Sequence, residues 1–356
     1  MHPAREKIRD FHLHTHHSDG LYPPGVLIER AARQGVAECA ITDHDTLAGI
    51  AEGELSAKRM GISFIPGVEL TTFYGKREVH ILAYGFTNPG NHASSGGFTN
   101  PGVYSNPDNH TNSGGSSSNG LAAYLGEIKR SRDEWLRQVV ELSQREPIMV
   151  GGNGKRALTL TRSDAERFRH AVPNRFQLSL LAKEKLEALC PEFRAVPARH
   201  IMYLLFWGRM PQYVNRYEEL LARCGIDSRI HWELEALEQR ATRPAREVLD
   251  MLRGERALAA VAHPGEMGLG REDLAVLRDM GARGIEVYTP KHNAEQTEYF
   301  ETIAKELGMF AVAGTDYHDQ YSRMETEMGR GRAGNVLTRG ITVSEIRAYC
   351  ESIPSG

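Results

Sequence analysis

The pattern of apolar positions predicts strands and helices in alternation at both ends of the chain. Apolar stretches of strand length end near residues 15, 42, 72 and 86, and helical spacing of apolar residues separates the first three. After about residue 243 the alternation resumes, with strands predicted at 257–262, 284–288 and 309–313. Helices are predicted between these strands and from Thr342 to Cys350. The sequence therefore predicts an α/β fold.

Between these two parts the pattern changes twice. Residues 87–120 are rich in Asn, Gly, Ser and Pro, and the hexapeptide GFTNPG occurs at 85–90 and again at 97–102, which predicts a flexible loop. From residue 121 an apolar stripe predicts an amphipathic helix, and 147–240 has mainly helical character with proline breaks. We therefore expect a catalytic α/β part formed by 1–86 and 244–356, the flexible loop at 87–120, and a helical insertion domain at 121–243.

Composition narrows the class of protein. The chain has 356 residues, a net charge of −3 and no run of Lys or Arg, which argues against an extended contact with a nucleic acid backbone. Its four cysteines are scattered without a CxxC pair, which predicts reduced thiols in a cytoplasmic protein. No stretch has the apolar length of a membrane span or a signal peptide, so we expect no membrane partner. The oligomeric state stays open.

Histidines and carboxylates follow the predicted strands. His12 and His14 are separated by one residue on the first strand, so both imidazoles point to the same face. In all, six histidines and three carboxylates lie at or just beyond strand ends: His12, His14, Asp19, His44, Glu69, His80, His263, Asp316 and His318. Each taken alone is typical of a capping or surface residue. Since the carboxyl ends of strands meet on one side in open sheets and in barrels alike, together they predict one shared site.

The chemistry of these side chains favours catalytic metal ions. Imidazole and carboxylate ligands without thiolate suit Mn, Zn or Fe, and they argue against a structural zinc site. The ligands are too many for a single ion, so we predict two or three divalent metal ions. Clusters of this kind activate water and hold the oxygens of a phosphoryl group during displacement.

Two arginines are candidates for binding an anion. Arg132 interrupts the apolar stripe of the helix predicted at 121–146, and an inward guanidinium needs a partner. That partner is either an internal carboxylate or a phosphate or carboxylate of a ligand. Arg175 falls in the first turn of a helix that begins at Asn174, where backbone N–H groups favour an anion. A solvated side chain is equally typical of that position.

The motifs that carry the candidate ligands resemble those of the PHP family, named for polymerases and histidinol phosphatases. They are His12-Leu13-His14 with Asp19, Thr42-Asp43-His44-Asp45, Pro66-Gly67-Val68-Glu69, Glu78-Val79-His80, His263-Pro264-Gly265 and Asp316-Tyr317-His318. The resemblance covers about residues 8–86 and 244–353. It implies a distorted (β/α)₇ barrel that holds a trinuclear metal centre, with a mostly helical insertion between His80 and His263.

The resemblance also implies a role for each residue. The first ion is expected at His12, His14, Glu69 and Asp316, the second at Glu69, His80 and His263, and the third at Asp19, His44 and His318. Asp43 and Asp45 are expected to orient ligands or cap the chain. The chain is most similar to the small-molecule phosphoesterases of the family, in which residues resembling Arg132 and the segment 174–177 contact phosphate. Gln177 and Gly126 stand where histidine and lysine are usual, so these contacts differ here.

These expectations converge on a metal-dependent phosphoesterase. It would hydrolyse a small phosphorylated metabolite, such as a nucleotide, nucleoside bisphosphate or cyclic phosphate, by attack of a metal-bridged hydroxide on phosphorus. Arg132 and Arg175 would hold the substrate phosphate. One alternative is an exonuclease acting on RNA or DNA ends, which needs a basic and aromatic channel. The other is a scaffold in which the metal ions serve stability alone.

Overall fold

The computed structural model describes residues 6–86, 120–151, 156–168, 171–206, 210–227, 232, 234, 237, 241–321, 327–332 and 335–354. Most of the loop predicted at 87–120 therefore lies outside the described residues. The chain divides into two compact units, of which the first is Met1–Gly126 with Thr242–Gly356 and the second is Glu127–Ala241.

Strands and helices alternate at the start of the first unit. They are β1 (Ile8–Asp10), α1 (Pro24–Arg33), β2 (Val36–Cys39), α2 (Ile50–Met60), β3 (Ser63–Phe64), β4 (Gly67–Tyr74) and β5 (Arg77–Tyr84). Pro24 opens α1, where a missing N–H costs no hydrogen bond, and α2 is terminated by the residue after it, Gly61, whose φ of 70° suits glycine. These two residues therefore fix the start of α1 and the end of α2.

Helices dominate the next part of the chain. The elements are α3 (Leu121–Arg145), β6 (Ile148–Val150), β7 (Arg156–Leu158), α4 (Arg162–Glu166), α5 (Arg175–Leu189), a 3₁₀ turn (Pro191–Ala195), α6 (Ala198–Leu205) and α7 (Pro211–Arg223). Their apolar faces bury a core that includes Trp135, Phe193 and Phe206. The Asn174 side chain accepts a hydrogen bond from the Gln177 N–H and so begins α5 at the predicted residue.

Two cysteines of the second unit, Cys190 and Cys224, form a disulfide. The prediction that all four cysteines are reduced is therefore wrong for this pair. The two residues are 34 positions apart and follow the last residues of α5 and α7, so a search for CxxC spacing does not detect them. The cytoplasmic location stays a prediction. Among the helices of the described residues, none is long and apolar enough to cross a bilayer.

The rest of the first unit resumes the alternation of strands and helices. Its elements are β8 (Arg243–Pro244), α8 (Ala245–Gly254), β9 (Leu258–Val261), α9 (Arg271–Met280), β10 (Gly284–Tyr288), α10 (Ala294–Leu307), β11 (Phe310–Ala313) and α11 (Val343–Ser352). Asn293 and Thr342 begin α10 and α11 with capping boxes. In each box, the side chain of the first residue accepts a hydrogen bond from the backbone N–H of the residue three positions on, whose own side chain accepts one from the first residue's N–H.

The strands of the first unit form two sheets. β1, β2 and β3 are parallel, and a second sheet has the order β11-β10-β9-β5-β4-β8. β9, β10 and β11 are parallel to one another, whereas β4 and β5 form an antiparallel hairpin that also pairs with β9. Phe11, just beyond β1, belongs to one buried apolar cluster with Leu82 of β5 and Val312 of β11. The predicted α/β class is confirmed.

Candidate metal centre

Four buried side chains meet just beyond the ends of β1 and β11 and on β4. His12 Nε2 lies 3.0 Å from Glu69 Oε2 and 3.3 Å from Asp316 Oδ1. His14 Nε2 lies 3.2 Å from the same Glu69 oxygen and 2.9 Å from the same Asp316 oxygen. These side chains form one group whose ligand atoms are mutually close enough to hold a metal ion. They are the four residues expected for the first ion.

The Glu69 carboxylate connects this group with further histidines. Its Oε1 atom is 2.9 Å from His80 Nδ1 and 3.3 Å from His263 Nε2. Its Oε2 atom is also 3.3 Å from His44 Nε2, so Glu69, His44 and His80 form a second candidate group. His44 was expected beside Asp19 and His318 alone, but the structure places it beside Glu69 as well. Glu69 is thus the centre of the cluster.

A third group is more open to solvent. It consists of His14, Asp19, His44 and His318. His318 Nε2 lies 3.0 Å from Asp19 Oδ2, and the His318 ring stacks on that of His14 with centroids 4.2 Å apart. The Asp19 side chain is 24% exposed, whereas those of His12 and Glu69 are fully buried. All the candidate ligands predicted from the sequence are therefore brought together in the first unit.

The backbone is strained at three residues that lie beyond strand ends near the site. Within the described residues, Asp45, His263 and Asp316 have positive φ values of 55°, 22° and 54°. Such values are unfavourable for residues with a Cβ and persist only where surrounding contacts impose them. At Asp45 those contacts are hydrogen bonds from its own N–H to the Glu69 carbonyl and from the Thr71 N–H to its carboxylate. Asp45 therefore supports the strand that carries Glu69.

Sequence reasoning missed a buried carboxylate that orients two ligands. Glu286 Oε1 accepts a hydrogen bond from His12 Nδ1 at 2.9 Å, and its Oε2 accepts from the His263 backbone N–H at 2.7 Å. An imidazole that donates from Nδ1 presents the lone pair of Nε2 to a metal ion. The available signal was a glutamate in the apolar strand β10, where an unpaired carboxylate is costly.

Asp10 and Asp43 anchor the loops that carry the ligands. Asp10 is buried and accepts hydrogen bonds from the N–H and hydroxyl of Thr315, the residue before Asp316. Burial, despite these hydrogen bonds, raises the pKa of Asp10 to about 6. Asp43 accepts from the Thr15 N–H at 2.6 Å and from the Ser18 hydroxyl at 2.6 Å. Asp10 was missed from the sequence, whereas Asp43 was expected in such a supporting position.

Charge pairing shifts the pKa of several candidate ligands. Burial by itself would lower the pKa of an imidazole, but neighbouring carboxylates outweigh it and raise the pKa of His14 to about 10 and that of His80 to about 9. Burial would raise the pKa of Glu69, but the surrounding histidines hold it well below its usual range. In the metal-free protein, His14 and His80 thus carry protons where divalent cations would bind, so metal binding at these two residues releases protons.

Two buried atoms show how the cluster fits a metal ion. His14 Nε2 and Asp316 Oδ1 are buried and form an ion pair at 2.9 Å, yet within the described residues neither atom has a partner in hydrogen-bond geometry. Atoms that bind one ion at about 2.1 Å are themselves about 3 Å apart. Because buried polar atoms without hydrogen bonds are costly, a bound cation would relieve this cost. The imidazole and carboxylate donors fit Mn, Zn or Fe.

Both candidate anion-binding arginines lie in the second unit, near the start of α5. Arg132 is buried, its Nε donates to the Pro173 carbonyl at 2.7 Å, and its guanidinium lies 4.2 Å from the centroid of the Trp135 ring. Arg175 is the first residue of α5. Their contact with a substrate phosphate stays a prediction.

Fold and site together define a candidate metal-dependent hydrolase with ligands at strand ends. The chain belongs to the PHP domain family, which matches residues 10–223. The predicted family is thereby confirmed. A structure of similar fold is that of a proposed metal-dependent phosphoesterase from Bifidobacterium adolescentis, with a TM-score of 0.63, 19% identity and 97% of each chain covered.

Three curated relatives differ in how much of the chain they match. A 3',5'-nucleoside bisphosphate phosphatase from Chromobacterium violaceum is 24% identical over 87% of this chain and 86% of its own length. A phosphoribosyl 1,2-cyclic phosphate 1,2-diphosphodiesterase from Eggerthella lenta is 24% identical over 89% of this chain and 96% of its own length. A 5'-3' exoribonuclease from Haemophilus influenzae is 47% identical, but over only 22% of this chain and 29% of its own length. The predicted class of enzyme, a hydrolase of phosphate esters, is confirmed.

Proposed function

We propose that this protein hydrolyses a phosphate ester of a small metabolite, such as a nucleoside bisphosphate or a cyclic phosphate. The observation that carries the proposal is the cluster around Glu69, in which both carboxylate oxygens lie within 3.3 Å of histidine nitrogens. Divalent ions bound there would lower the pKa of water and neutralise phosphoryl oxygens. The residues of this chain would hold the ions, orient the ligand side chains and keep the surrounding backbone fixed.

Three ions account for all the ligands. The first would be held by His12, His14, Glu69 and Asp316, the second by Glu69, His80 and His263, and the third by Asp19, His44 and His318. The partly exposed side chains of Asp19 and His44 make the third position the most accessible to exchange. Mn, Zn and Fe all suit these donors. We therefore propose two ions in the buried positions and a third that exchanges with solvent.

The two sheets of the first unit are proposed to close into a distorted seven-stranded barrel. On one side the Phe11 N–H, just after β1, donates to the Ala313 carbonyl of β11 at 2.8 Å. On the other side His44, beyond β2, pairs with Glu69 of β4 in an isolated bridge. The first link joins the ends of the edge strands β1 and β11, and the second joins the segment after β2 to β4. Such closure would gather the carboxyl ends of the strands into one mouth.

The assignment of domains extends this proposal. The segments 1–86 and 244–356 would form the catalytic domain, 87–120 a loop, and 121–243 an insertion domain that recognises the substrate. Arg132 and Arg175 would be its phosphate-binding residues. In support, the hydrogen bond from Arg132 Nε to the Pro173 carbonyl, at 2.7 Å, holds this guanidinium near the start of the helix that begins with Arg175.

Hydrolysis of a small metabolite is favoured over trimming of nucleic acid ends. The relatives matched along most of their length are a bisphosphate phosphatase and a cyclic phosphodiesterase. The match to the exoribonuclease covers 80 residues. We therefore infer that the shared segment reflects common metal motifs and that the remaining chain determines the substrate.

A substrate panel tests the proposal. Purified protein loaded with Mn is incubated with nucleoside bisphosphates, nucleotides, cyclic phosphates and 5'-phosphorylated oligoribonucleotides, and released phosphate or diester cleavage is measured. We expect turnover of at least one small metabolite and a loss of about two orders of magnitude or more in Asp316→Asn, a ligand change. The exposed Asp279→Asn variant is the matched control. Turnover of oligonucleotides alone, or of none of these compounds, would contradict the proposal.

A further inference from the structure

A lysine that the sequence reasoning did not single out stands beside the metal centre. Lys291 follows β10 in a loop that is fixed by His292, the next residue. The His292 Nδ1 donates to the Val287 carbonyl at 3.0 Å, and its Nε2 accepts from the Gly265 N–H at 3.1 Å. The loop is thus tied both to its own strand and to the turn after His263. Lys291 therefore sits on a rigid support.

The Lys291 ammonium contacts two carboxylates. Within the described residues, its ion-pair partners are Asp316 Oδ2 and Glu266 Oε2. Asp316 Oδ1, the other oxygen of that carboxylate, faces His14 in the candidate metal site. A lysine side chain is cationic at neutral pH, and here the two carboxylates hold its ammonium group in place. A fixed positive charge thus lies one carboxylate away from the first proposed ion.

The Lys291 ammonium has more N–H donors than carboxylate partners. An ammonium group has three N–H donors, and the two carboxylates account for two of them. The Lys291 side chain is 17% exposed, whereas the ligands His12 and Glu69 are fully buried. A group that approaches the ions from solvent can therefore reach the ammonium. Phosphoryl oxygens form short, strong hydrogen bonds with such a compact cation.

We propose that Lys291 is a substrate-binding residue that donates a hydrogen bond to a phosphoryl oxygen of the phosphate ester. This inference rests on the proposed function and adds a phosphate contact supplied by the first unit. Its third N–H would bind the substrate, while the other two keep the ammonium in place. The competing explanation is that Lys291 only positions Asp316. The two explanations differ in whether metal content or phosphate affinity depends on the lysine.

Three variants separate them. Lys291→Met removes the donor and the charge, Lys291→Arg keeps both with different geometry, and Lys305→Met removes an exposed lysine of α10 as the matched control. For each protein loaded with Mn, the dissociation constant of inorganic phosphate is measured by calorimetry, metal content by elemental analysis, and KM and kcat with the best substrate of the panel.

We expect Lys291→Met to weaken phosphate binding and raise KM by about tenfold or more, the usual effect of losing a charge-assisted hydrogen bond. Its metal content stays at the wild-type value, Lys291→Arg recovers part of the affinity, and Lys305→Met behaves as wild type. Unchanged phosphate affinity and KM in Lys291→Met would overturn the inference. Loss of metal from that variant would also overturn the inference, because the lysine would then act by positioning Asp316. If the wild-type protein neither binds phosphate nor hydrolyses any ester, the proposed function fails instead.

Discussion

At the scale of residues, the site depends on carboxylates that hold the histidines in one orientation. Glu286 uses both oxygens for this purpose, one on the His12 ring and one on the His263 backbone. It is fully buried and is not itself one of the proposed metal ligands. Its loss should therefore affect the metal centre more than the fold, because glutamine has the same shape.

The Glu286→Gln variant tests this role. Glutamine keeps one acceptor oxygen but places an NH₂ group against either the His12 ring or the His263 N–H. We expect metal affinity or activity to fall about 10- to 100-fold, the usual effect of changing a group that orients a ligand. The measurement is metal content after dialysis against a chelator of known affinity. Glu298→Gln, an exposed change on α10, should match wild type; equal metal content in both variants would contradict the role of Glu286.

The titration of the ligands predicts how the metal-free protein depends on pH. His14 and His80 have raised pKa values of about 10 and about 9, so the stability from their ion pairs is complete below about pH 6 and is lost as the pH rises through 9 and 10. Asp19, Glu69 and Asp316 have lowered pKa values, so their contribution is complete above about pH 5 and is lost in acid.

We therefore expect the Tm of metal-free protein to be highest at about pH 5 to 6, where both contributions are complete, and to fall from there toward about pH 10. With saturating metal the loss at high pH should be smaller, because cations replace the protons on His14 and His80. Thermal unfolding with a chelator and with Mn across this range measures the difference. A Tm profile that is the same with and without metal would show that these histidines do not bind it.

At the scale of elements, sequence reasoning succeeded where local chemistry decides the structure. Asn174 and Thr342 begin α5 and α11 as predicted, because each satisfies a backbone N–H of its own helix. Thr46 is also of a residue type that typically begins helices, yet α2 begins at Ile50, since the Thr46 hydroxyl accepts a hydrogen bond from the Ala48 N–H in a turn. The ligands were predictable because strand ends place them together. Lys291 was not, because its importance comes from contacts with Asp316 and Glu266, which no spacing reveals.

The disulfide between Cys190 and Cys224 connects the ends of α5 and α7 and should stabilise the second unit. A crosslink over 34 positions restricts the unfolded chain, and the entropy of loops of this size corresponds to about 3–5 kcal/mol. We expect the Cys190→Ser, Cys224→Ser double variant to lose about that much free energy of unfolding, measured by urea denaturation. Dithiothreitol should destabilise the wild-type protein by a similar amount and leave the double variant unchanged. An equal loss of stability in both proteins on addition of dithiothreitol would show that this disulfide is not its cause.

At the scale of the whole molecule, the charge distribution distinguishes the two enzymatic functions. The chain carries a net charge of −3 without a basic tract, although 80 of its residues match a relative named as a 5'-3' exoribonuclease. An enzyme that holds a polynucleotide neutralises many phosphates at once and loses affinity steeply as salt rises. An enzyme for a small metabolite contacts only one or two phosphates. Salt dependence therefore reports the size of the natural substrate without knowledge of its identity.

We expect kcat/KM for the best small substrate to fall less than about tenfold between 50 and 200 mM salt, because only one or two phosphates release counterions. A nuclease with an extended channel would lose about a thousandfold over the same range. The measurement uses KCl at constant pH and saturating metal, with Lys305→Met as a control for the loss of a surface charge. A short oligoribonucleotide added as competitor should inhibit no better than its 5'-mononucleotide. Steep salt dependence together with strong inhibition by the oligonucleotide would instead favour action on RNA ends.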